Sequence, residues 1–107
     1  MIGLLLLAVL PVDSSAFWTG NDILARCEGE ANDQRDCMGY VTGASDMLGA
    51  AQTVGEARPV MCQPDNVSRK QVVDIVVRYL RNHPSNRHYL GGSLVRIALM
   101  DAFPCKP

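Results

Sequence analysis

The sequence predicts an all-α protein: a compact four-helix bundle stapled by two disulfides. Three observations carry that expectation. Apolar residues recur at three- and four-residue spacing through most of the chain, with no sustained alternation of the kind that marks a half-buried strand. Helix start and stop signals bracket each of those stretches. Four cysteines, an even number, sit in a 107-residue chain, and a domain this small often needs cross-links to supplement its core.

The chain opens MIGLLLLAVLPVDSSAFW. Ile2 to Val12 is apolar apart from Gly3 and Pro11, too short to span a bilayer but suited to the core of a signal peptide. Ser14-Ser15-Ala16 places small residues before a cleavage point after Ala16. No Lys or Arg precedes the apolar run, so only the terminal amine is positive. The competing reading is a buried first helix of the domain. On the first reading, 1–16 is a leader and 17–107 the folded domain.

Thr19-Gly20-Asn21-Asp22 offers a cap for a short helix over about 20–28, which continues through Ile23, Leu24 and Cys27 and has Gly29 as its stop. Glu30 to Asp36 reads as a polar turn. Asp33 then caps a second helix over about 34–52. On it Cys37, Tyr40, Val41, Ala44, Met47, Leu48 and Ala51 form an inward stripe, and Gly39, Gly43 and Gly49 imply close approach of another helix. Thr53 to Val67, with Gly55, Pro59 and Pro64, is a loop.

DNVSRKQVVDIVVRYLRNHP carries the clearest helix. Its β-branched run suits a strand, but Ser68 with Gln71 forms a capping box and Val67 with Val72 a hydrophobic staple. Lys70, Asp74, Arg78 and Arg81 line up as one polar stripe at helical spacing, and the helix ends before Pro84. Ser85 or Asn86 caps a last helix over about 86–102, with Leu90, Leu94, Val95, Ile97, Ala98 and Met100 as its apolar faces. Gly91-Gly92 falls inside it, again implying a close neighbour. The short connection makes the third and fourth helices antiparallel neighbours.

Charge and motif exclude several functions. Ten Lys and Arg stand against eleven Asp and Glu, and with Asp13 in the leader the rest is balanced. No basic block marks a nucleic-acid surface. The cysteines lie at 27, 37, 62 and 105, without CxxC, and His83 and His88 flank a proline turn, so neither a zinc site nor a thiol redox motif is expected. No GxSxG, carboxylate pair or phosphate loop is present, and Ser68 is explained as a cap, so no catalytic site and no cofactor are expected. Asn66-Val67-Ser68 matches a glycosylation sequon, but its serine is better used as that cap.

Export makes disulfides the expected role of the cysteines. In an antiparallel hairpin the segment before the third helix lies beside the segment after the fourth, which brings Cys62 within reach of Cys105. Cys27 and Cys37 then join the end of the first helix to the start of the second.

The blocks FWTGNDILARC, CMGYVTGASD, MCQPDNVSRKQVVDIVVRYLRNHP and LVRIALMDAFPC together resemble the Rap/Tai-type immunity proteins of type VI secretion amidase toxins, over Phe17 to Cys105. The most specific parts are the Cys-x-Gly-Tyr-x-x-Gly block (Cys37, Gly39, Tyr40, Gly43, followed by Asp46) and the closing Phe103-Pro104-Cys105. Between them Cys62, Pro64, Val67, Gln71, Tyr79, Leu80, His83 and Pro84 match. The resemblance implies a helical, disulfide-bonded periplasmic protein, often a homodimer, that binds a peptidoglycan amidase and blocks its active site. The matching residues are mostly scaffold. Partner contacts are expected on the less patterned Glu28–Asp36 run and the Thr53–Asn66 loop, with Glu56 and Arg58 as candidates. The alternatives are a small helical periplasmic chaperone or stress-binding module, and a structural subunit of an envelope assembly.

Overall fold

The structure, a computed structural model, describes Gly3, residues 17–55 and residues 58–106. The expected leader, 1–16, lies outside the described residues apart from Gly3. Four α-helices follow one another: α1 (Gly20–Cys27), α2 (Ala31–Val54), α3 (Arg69–Asn82) and α4 (Gly91–Ala102), with a single 3-10 turn (Pro84–Asn86) before the last.

Local chemistry explains where α1 and α3 begin. Thr19 and Asp22 form a reciprocal capping box at α1, and Ser68 and Gln71 another at α3, each satisfying two backbone donors that the first turn would leave free. The remaining donors of α1 are met by tertiary partners: Gly20 N–H donates to the Tyr89 carbonyl at 3.1 Å and Asn21 N–H to the Arg87 carbonyl at 2.9 Å. The turn that precedes α4 therefore caps α1.

Two boundaries differ from expectation. Helix α2 starts at Ala31, three residues early, after Glu30 as an N-cap without a side-chain bond. Asp33 is not its cap but lies in its first turn, where a carboxylate favours the helix dipole and where Arg26 Nη1 reaches it at 3.3 Å. The polar run from Glu30 to Asp36 is thus the solvent side of a helix rather than a turn. Helix α4 starts at Gly91, not near 86; Ser85 and Asn86 lie in the 3-10 turn and Leu90 is the N-cap.

The core joins all four helices: Ile23 and Leu24 from α1, Cys37 and Val41 from α2, Val72, Val76 and Leu80 from α3, and Leu94, Val95, Ala98 and Leu99 from α4, with Met61 from the loop. Helix α2 gives this core fully buried residues only in its first half, and Ala44 and Leu48 beyond it pack against the core partly buried. Met47, expected inside, is 68% exposed, and Val54 at the end of the helix is 83% exposed. Nothing lies within 4 Å of a Cβ built at Gly39, Gly43 or Gly49, so these glycines serve no close packing within the domain. The close approaches are elsewhere, at Gly20 and Gly91.

Both expected disulfides are formed, Cys27–Cys37 and Cys62–Cys105, each with 5.0 Å between Cα atoms. Beside the second, Met61 pairs antiparallel with Pro104 and Cys62 N–H donates to the Phe103 carbonyl at 2.8 Å. The chain entering α3 therefore runs against the chain leaving α4, as an antiparallel hairpin requires.

The loop after α2 is held by one side chain. Gln52 Oε1 accepts from the N–H groups of Val60 and Met61 at 2.9 and 3.0 Å, and its Nε2 donates to the Met61 carbonyl at 2.9 Å. Gln52→Ala leaves three partly buried backbone groups without that partner and should destabilise the fold by about 1–3 kcal/mol. Hydrogen exchange at Val60 and Met61 should accelerate more than exchange in α3; equal protection in the variant would contradict the clamp.

Candidate functional site

Among the described residues no three His, Cys, Asp or Glu side chains gather as a metal site. All four cysteines are consumed in disulfides. His83 closes α3: its Nδ1 lies 2.8 Å from the Tyr79 carbonyl and its ring stacks on Tyr79 at 4.0 Å. His88 leans on Tyr89 at the surface.

Three surface features stand out. The first is the corner between α1 and α2. Arg26 bonds Asp33 and, at 3.0 Å, Asp36, while its guanidinium lies 5.3 Å from the centre of the Trp18 ring. Trp18 in turn stacks on Tyr40 at 4.7 Å. The charges of CEGEANDQRDC are therefore partly spent in ordering this corner, where exposed ion pairs are each worth little. Burial pushes the Tyr40 phenol above its ordinary value, opposed by a hydrogen bond with the Gly92 backbone and reinforced by the Asp22 charge. Above the ordinary tyrosine pKa, the unfolded chain ionises first, so this group lowers stability as pH rises into that range.

The second is a depression of about 650 Å³ beside the Cys62–Cys105 bond, with Arg58, Val60, Met100 and Asp101 in its walls. Arg58, expected to contact a partner, is exposed on its rim. Glu56 lies outside the described residues.

The third was not singled out from the sequence. A groove of about 530 Å³ runs between the start of α2 and α3. The polar stripe of Lys70, Asp74, Arg78 and Arg81 forms one wall, together with Val73 and Val77. Its excess of positive charge over three turns was the available signal.

The described surface thus carries an ordered α1–α2 corner and two depressions on a disulfide-stapled helical domain. The sequence model of the Rap1a immunity proteins matches residues 19–105, and the chain belongs to this family. Membership points to an immunity protein that binds a toxin, and with the disulfides it suggests an exported protein. No described helix is long and apolar enough to cross a membrane. A search of the curated proteins and one of the solved structures returned no match.

The family motif acquires a physical meaning here. Cys37 is a staple, Tyr40 roofs the corner with Trp18, Gln71 closes a capping box, Leu80 is fully buried, and Tyr79 with His83 locks the end of α3. Gly39 and Gly43 are different: they face open space.

Proposed function

We propose that this chain is a periplasmic immunity protein, exported by a signal peptide over 1–16, that binds a peptidoglycan amidase delivered by type VI secretion and blocks its active site. The observation that carries the reading is the family match over 19–105. The loop bearing Glu56 and Arg58 contributes partner contacts in this reading. The test is co-expression with the amidase encoded beside it, exported to the periplasm. Survival of the cells and co-elution of the two proteins are expected. Continued lysis with no complex would reject the reading, and protection of unrelated proteins from aggregation in acid would favour a chaperone instead.

The protein acts as a homodimer in this proposal, and the outer face of α2 supports it. Gly39, Gly43, Met47, Ala50 and Val54 follow one another at four- and three-residue spacing, the period of a helix–helix seam, and all are exposed. Met47→Asp should convert the dimer to a monomer in sedimentation equilibrium while leaving helicity unchanged. An unaltered mass would place the seam elsewhere.

A further inference from the structure

We propose that the groove between α2 and α3 is where the toxin docks, and that it receives an acidic segment of that partner; the inference rests on the toxin-binding reading above. Lys70, Arg78 and Arg81 stand along one wall, with Val73 and Val77 between them and Met38 of α2 opposite. Asp74 is the single acidic residue of the lining, against those three basic ones.

The basic groups differ in commitment. Lys70 pairs with Asp74 at 3.1 Å near one end, and Arg81 with Glu28 at 2.6 Å near the other. Both pairs are exposed, and exposed pairs are weak enough to exchange for a carboxylate arriving from outside. Arg78, between them, is exposed and takes part in no ion pair or hydrogen bond among the described residues. Its guanidinium offers a fork of donors that suits a carboxylate.

Shape selects a chain over a small ion. From Lys70 to Arg81 the wall extends about 16 Å at the helical rise. An extended segment of roughly five residues covers that distance. The alternation of basic groups with a valine floor matches a segment in which carboxylates flank an apolar side chain. A lone anion would use one end of such a wall and leave the apolar floor wet.

The test compares binding of the purified amidase encoded by the adjacent gene to the full mature chain and to two variants of equal charge change, by calorimetry across a salt series. Arg78→Glu changes an exposed, unpaired side chain, and circular dichroism verifies its fold. Affinity should fall on the order of tenfold or more, with a shallower dependence on salt than the unaltered protein shows. Ser93→Glu combined with Ala102→Glu, an equal charge change at exposed positions of α4, should bind nearly as the unaltered protein does. Equal affinity of the Arg78→Glu protein would overturn the groove as the docking site and leave the toxin-binding reading standing. An equal loss in both variants would overturn it too, because overall charge would then explain the effect. Absence of any complex with the unaltered chain would reject the toxin-binding reading itself.

Discussion

Replacing Cys62 and Cys105 together by serine is expected to remove about 4 kcal/mol of stability, the largest loss accessible without touching the core. The bond spans a sequence separation of 43, against 10 for Cys27–Cys37. Loop-closure entropy grows with the logarithm of that separation, which gives about 4 kcal/mol for the long loop and about 3 for the short one. Small domains have a net stability of roughly 5–15 kcal/mol, so the long bond carries a large share. The melting temperature should drop by about 4–8 °C for each kcal/mol lost. The Cys27→Ser, Cys37→Ser protein should melt between the long-bond variant and the unaltered chain. The reverse order would show that the α1–α2 corner, with its Trp18–Tyr40–Arg26 stack, matters more than the closure of the α3–α4 hairpin.

Gly91→Ala should cost about 2–3 kcal/mol, while Gly92→Ala should be neutral or stabilise by up to about 1 kcal/mol. The two glycines are adjacent and both open α4. A Cβ at Gly91 would lie 2.7 Å from Tyr40 Oη, 2.8 Å from Ile23 Cδ1 and 2.9 Å from the Trp18 carbonyl oxygen. The last of these is backbone and already accepts the Gly91 N–H at 2.7 Å, so it cannot move away without breaking that bond. Overpacking of this kind typically costs 1–3 kcal/mol. At Gly92 nothing stands within 4 Å, and alanine gains the helix propensity that glycine lacks. Urea unfolding of the two variants decides it; similar midpoints would refute the close approach at Gly91.

That pair also shows where sequence reasoning reached and where it stopped. The capping box at Ser68, the helix end before Pro84 and both disulfide pairings were legible because each depends on neighbours in sequence or on hairpin topology. The glycines were not. A glycine in a helical pattern signals close packing or open space with the same letter, and only the surrounding helices distinguish Gly91 from Gly39 or Gly43. The start of α4 was misplaced because Ser85 and Asn86 have the side chains of a helix cap but form a 3-10 turn, whose following carbonyls serve α1 instead. Met47 shares the apolar period of α2, but its neighbours Ala44 and Leu48 take the core-facing positions and Met47 is left on the outer side. The basic wall of α3 was visible as a stripe, but its identity as one side of a groove required the position of α2.

The disulfide connectivity has a consequence for biogenesis. The bonds join consecutive cysteines without crossing, the first to the second and the third to the fourth. A polypeptide entering an oxidising compartment N-terminus first presents its thiols in that same order. Pairing each newly arrived thiol with the one that preceded it yields the native bonds directly. Such a chain can mature by oxidation alone, without a shuffling catalyst to undo crossed links.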